Sequence, residues 1–173
     1  MRHAGLVLAA ALLAGCGGGG GPLEGAGGFE PPAGAISAGE GEIPDQVERV
    51  PSYRLEGPRE DTPVTFRMRV HNMGRDEVTI TGVDGDKDID GQFVSERLAS
   101  GPVRLAPGVT ETVEVSGRTG RCADRLAGQV TQKIRQRLRY RSGGDEHTQD
   151  VDLKAILEVV SPDDAGCPGR GGR

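Results

Sequence analysis

Beyond residue 46, apolar residues recur at every second position, the spacing of strands buried on one face. The clearest run is "VTFRMRV". There Val64, Phe66, Met68 and Val70 face one way, and Thr65, Arg67 and Arg69 the other. "HNMGRD" follows with Asn72 and Gly74 as turn residues, and "EVTITGV" alternates again through Val78 and Ile80. Upstream, "VERVPSYRLEG" reads as a first strand interrupted by Pro51. Downstream, "QFVSERL" reads as a short strand and "PVRL" leads into the turn Ala106–Pro107–Gly108. "VTETVEV" then sets Val109, Val113 and Val115 on one face. Short strands at regular spacing, with no convincing long helix, predict an all-β fold, a β-sandwich over residues 46–168.

One segment admits a helix. In "DRLAGQVTQKIRQRLRYR", Leu126, Val130, Ile134 and Leu138 lie four apart, but strand period fits as well from Val130 onward. Val130, Ile134, Leu138 and Tyr140 then point inward, and Lys133, Arg135, Arg137, Arg139 and Arg141 outward. The next run, "TQDVDLKAILEV", alternates through Val151, Leu153, Ala155, Leu157 and Val159, and "SGGD" between the two is a hairpin signal. With Gly143 and Gly144 at the turn centre, Ile134 faces Leu153 and Val130 faces Leu157. Arg137 then meets Asp150, Arg135 meets Asp152 and Arg141 meets Glu146. One register satisfies core and charges together, so the hairpin is predicted over the helix.

The stretch "VTFRMRVHNMGRDEVTITGV", a strand, a turn and a strand, resembles the immunoglobulin-like ectodomains of bacterial, especially actinobacterial, lipoproteins. "LAPGVTETVEV" is similar to a recurrent strand-turn-strand of those domains. The resemblance runs from Val64 to Cys167 and implies an immunoglobulin-like β-sandwich of about seven strands.

The N-terminus points to the same class. Arg2 and His3 precede an apolar run from Gly5 to Leu13, too short to span a bilayer, which reads as an export signal over residues 1–15. It ends in "LAGC" (Leu13, Ala14, Gly15, Cys16), which looks like the lipobox of bacterial lipoproteins. That resemblance implies diacylglyceryl transfer to the Cys16 sulfur, cleavage before Cys16 and acylation of the new amino terminus. The chain is then exported and held by lipid, palmitate among the acyl groups, on the outer side of the cytoplasmic boundary. Two or three acyl chains anchor durably where one does not. Residues 16–45 are rich in Gly, Pro and Ala and read as a flexible tether of roughly 30 Å, and residues 169–173 as a disordered tail.

Composition narrows the rest. At 35% apolar and 3% aromatic residues, with no Trp, the core has few large side chains. A formal net charge of -5 suits solubility better than a nucleic-acid partner. With Cys16 lipidated, Cys122 and Cys167 remain, and in an exported chain they are expected to pair as a disulfide. The acidic run "VDGDKDIDGQF" offers Asp84, Asp86, Asp88, Asp90 and Gln92, with Glu96 beyond it, as calcium ligands. It matches the start of an EF-hand loop, but position twelve is Arg97 rather than Glu, so a solvated acidic turn is the stronger reading. His71 and Met73, with Met68 near, form a His-x-Met element of the kind that suits cuprous copper, but no second His/Met cluster follows. The basic run from Lys133 to Arg141 reads as a solvated strand face paired with acids opposite. No nucleophile–base spacing or phosphate-binding glycine motif is present, so no enzyme is expected. The sequence predicts a binding or structural module with an unknown protein or cell-wall partner. A calcium-stabilised adhesion module, a copper carrier and an enzyme are the alternatives.

Overall fold

The computed structural model describes residues 21–43, 48–56, 62–85, 93–119 and 130–160, which form ten strands and no helix. The first five are β1 (Leu23–Gly25), β2 (Ile36–Glu42), β3 (Arg49–Glu56), β4 (Pro63–Asn72) and β5 (Val78–Val83). The others are β6 (Phe93–Leu98), β7 (Val103–Leu105), β8 (Thr110–Thr119), β9 (Val130–Ser142) and β10 (Asp145–Val160). They make a four-stranded sheet, β1-β4-β8-β6, and a six-stranded sheet, β2-β3-β10-β9-β5-β7. All pairings are antiparallel except that of β3 with β10. The result is a β-sandwich.

The period-two runs explain the core. Val64, Phe66, Met68 and Val70 of β4 are buried, as are Val113 and Val115 of β8, and they meet Ile80, Leu105, Leu138, Leu153 and Leu157 of the other sheet. Each such side chain contributes roughly 1.5–3 kcal/mol when fully buried, which is how aliphatic residues hold a sandwich with so few aromatics. Pro51 lies inside β3 opposite Glu40 of β2, just before β3 joins β10 at Ser52, so only one of its two edges is in a ladder. Val109, expected beside Val113 and Val115, precedes β8 and is 37% exposed.

The expected tether is the first correction. Within residues 16–45, β1 and β2 are strands of the two sheets, and Leu23, Phe29 and Ile43 are buried. Phe29 packs against Phe66 at a ring-centroid distance of 5.5 Å and against Tyr53 at 5.7 Å. Glu30 and Arg67 exchange backbone hydrogen bonds, and their side chains pair at 3.1 Å. Aromatic burial and ladder hydrogen bonds thus offset the entropy of a Gly-rich segment. With these two strands the described residues form ten, against the expected seven or so.

The far half of the predicted hairpin is the second. Gly143 (φ 62°) and Gly144 (φ 98°) form its two-residue turn, and positive φ at both positions is what a tight hairpin of this hand demands. Arg141 faces Glu146, Arg137 faces Asp150 and Arg135 faces Asp152, as predicted. Beyond Asp152 a bulge adds three residues to β10, so Leu157 faces Lys133 and Val160 faces Val130. An odd shift reverses which β9 residues point inward. Lys133 is therefore buried, while Ile134, expected inward opposite Leu153, packs instead with Ile43, Val50 and Ile156.

The turns at one end of the sandwich are tied together by Asn72, which is fully buried. Its Nδ2 donates to the carbonyls of Asp76 (2.9 Å) and Leu105 (3.0 Å), and its Oδ1 accepts from the Gly74 N–H (2.9 Å). Its backbone N–H donates to the Val109 carbonyl, and its carbonyl accepts from the Gly108 N–H. One side chain therefore fixes the β4–β5 turn against the β7–β8 turn.

Candidate functional site

The two sheets meet along β1, and a cleft opens there. β1 lies against β4, with Leu23 opposite Asn72, Glu24 opposite His71 and Gly25 opposite Val70. It is also clipped to β10: Gln149 Oε1 accepts from the Leu23 N–H (3.1 Å) while Gln149 Nε2 donates to the Leu23 carbonyl (2.5 Å). Gly25 passes so close to β10 that a Cβ there would stand 1.8 Å from the Asp152 carbonyl oxygen. Only glycine permits this approach.

The β10 bulge supplies the other wall. Lys154 within it has φ 52°, a left-handed backbone that side-chain-bearing residues rarely adopt. Its Nζ lies 3.6 Å from Glu48 Oε2. Between the bulge, the start of β3 and the segment Glu24–Gly28 is a cleft of about 540 Å³, reached also by Arg49 and His71. Two carboxylates and two cations line it, so its formal charge balances. Such a lining suits a ligand that carries both signs or many hydrogen-bonding groups.

His71 brings the one imidazole among the described residues of the cleft. Its Nδ1 is 2.9 Å from Thr110 Oγ1. The described residues hold no carboxylate hydrogen-bonded to the ring, so the pair lacks the third group that orients a catalytic base.

Of the residues proposed from sequence, His71 is the only one among the described residues that lines the cleft. Cys16, Cys122, Cys167, Asp86, Asp88, Asp90 and Gln92 lie outside the described residues. Asp84 is exposed just past β5, its N–H donating to the Arg137 carbonyl. Glu96 is the extra residue of a bulge between β6 and β8, and its carboxylate pairs with Arg118 at 2.5 Å. The described residues contain no group of three His, Cys, Asp or Glu side chains able to hold a metal. In the His-x-Met element Met73 is 60% exposed, but Met68 is buried in the core and cannot join it.

The basic strand face is paired as its register dictates. Arg137 bonds Asp150 through Nε (2.7 Å) and Nη2 (3.1 Å), and Arg135 bonds Asp152 (2.9 Å). Arg137 holds the Asp150 carboxyl below the ordinary range of aspartate, mainly through that hydrogen bond. Burial pushes the Tyr140 phenol up.

The sequence did not reveal the cleft, because its walls come from four distant segments. The nearest signal was "GAGG" (Gly25 to Gly28), where small residues allow close backbone approach.

No protein-family model matches the chain, and a search of curated proteins finds no significant match. Among solved structures, the chain is similar to the Vibrio cholerae VesB protease at 16% identity and a TM-score of 0.35, over 64% of this chain and 30% of that one. It is also similar to the apo PCuAC domain from PmoF1, at 18% identity and a TM-score of 0.34, over 67% of this chain and 98% of that domain. Likenesses at this level carry no functional argument.

Proposed function

We propose that the chain is a lipid-anchored, exported β-sandwich that serves as a binding or structural module at the bacterial cell envelope. One observation carries this reading: the apolar run Gly5–Leu13 ends in Leu13-Ala14-Gly15-Cys16, where a thiol follows two small residues. The charge-balanced cleft beside β1 supports a binding role, since it gathers polar groups without a complete nucleophile–base set. The test is fractionation of cells expressing the wild-type chain and Cys16→Ala. The wild type is expected in the membrane fraction after a high-salt wash, and the variant outside it with a different mature mass. A variant that stays membrane-bound with unchanged mass contradicts the reading.

A copper carrier is the second reading. It rests on His71 and Met73, two residues apart at the end of β4, with Met73 exposed. Competition for cuprous ion against a chromogenic chelator tests it: no copper drawn from the chelator by the wild-type chain removes it.

A further inference from the structure

The lipid anchor and the fold together set which end of the sandwich faces the membrane, an inference that rests on the lipoprotein reading above. Six residues, 17–22, separate Cys16 from Leu23. At roughly 3.5 Å per residue, Cys16 lies within about 25 Å of Leu23 whatever path the chain takes. Leu23 pairs with Asn72, the last residue of β4, and β4 begins at Pro63 at the opposite end. Nine residue steps separate Pro63 from Asn72, about 31 Å at roughly 3.4 Å per step. An inverted domain would need more chain than is present.

The end that starts β1 also carries exposed apolar side chains. Met73, in the β4–β5 turn, is 60% exposed, and Val109, at the end of the β7–β8 turn, is 37% exposed. They account for two of the three large apolar residues exposed among the described residues. The two turns are bonded to each other through Asn72, and the Met73 N–H donates to the carbonyl of Pro22, the residue before β1. The apolar side chains thus stand where the chain leaves for its anchor. Asp84 stands past the other end of β5, the end farther from the anchor.

We propose that this end, through Met73 and Val109, is a contact surface for the lipid bilayer, so that the domain rests on the membrane with the Asp84 end of β5 outward. The β1 cleft, at the membrane-near half of the domain, then opens close to the lipid surface.

The chain contains no Trp, so one introduced indole reports a single position. Met73→Trp, Val109→Trp and Asp84→Trp all lie at exposed sites, and melting curves check that each folds. Each mature protein is reconstituted into phosphatidylethanolamine–phosphatidylglycerol vesicles containing doxyl-labelled lipid, and its acylation is read by mass. Met73→Trp and Val109→Trp are expected to lose emission to the doxyl lipid and shift to the blue, while Asp84→Trp keeps its emission. An acylated protein in which the first two go unquenched overturns the orientation and leaves the anchor standing. Blue-shifted but unquenched emission means that a second copy or another protein covers this end, and also overturns it. A mature protein without acyl groups overturns both readings.

Discussion

Asn72→Ala should unfold the domain far more than its small change in volume suggests. The side chain is fully buried and makes three hydrogen bonds, to Asp76, Leu105 and Gly74. A hydrogen bond contributes about 1 kcal/mol net, and a buried group left without its partner costs more than the bond contributed. Three lost bonds therefore predict a loss of about 3 kcal/mol. For a domain of this size that is a fall in melting temperature of roughly 9 °C. Urea denaturation followed by circular dichroism measures it, with a lower midpoint and an unchanged slope expected. Met73→Ala, one residue on but exposed, is the control and should change stability by no more than about 0.5 kcal/mol. A loss below about 1 kcal/mol for Asn72→Ala would refute the view that Asn72 ties the two turns together.

Three further outcomes follow from the geometry. Leu23→Ala should cost about 2–4 kcal/mol in the same denaturation assay because Leu23 is a core residue, whereas a residue in a free tether would cost nothing measurable. The Asp150 carboxyl is held below its ordinary range, so the unfolded chain takes up its proton first as pH falls. The Arg137–Asp150 stabilisation is whole above about pH 4 and is lost as pH drops through the lowered native value, so Arg137→Ala should flatten the acid limb of a urea-midpoint profile; an unchanged limb contradicts it. Cys122 lies eight residues before Val130 and Cys167 seven after Val160, and these two valines face each other, so a disulfide is expected to add about 4 kcal/mol; labelling of both thiols in the native exported protein would contradict it.

Alternation made β4, β5 and β8 legible, because buried residues there alternate with more accessible ones over most of each strand. Local turn chemistry and charge fixed the hairpin as far as Asp152. The bulge beyond it was not read from sequence: Leu153, Ala155 and Leu157 keep period two, and the apolar Ile156 between them was the one residue out of step, while Lys154 takes a left-handed backbone and the ladder slides by three residues. β2 was illegible for another reason. Its residues, "ISAGEGE", are exposed almost throughout, and it is held by backbone pairing to β3 rather than by an apolar stripe. β1 is three residues long and depends on Gln149, 126 positions away. Asn72 read as a turn residue, and only the fold shows it as the buried joint between two turns. The cleft is a product of topology, since Glu24, Glu48, His71 and Lys154 converge only once both sheets form.

The lipid anchor is the claim on which the functional reading depends, and the mass of one peptide tests it. No Lys or Arg lies between Cys16 and Arg49, so trypsin releases the mature amino terminus as a single peptide ending at Arg49. In protein extracted from membranes of its expressing cells, that peptide should begin at Cys16 and carry a diacylglyceryl group, with or without a further acyl chain. A peptide that begins at any other residue, or an unmodified Cys16, would contradict the account.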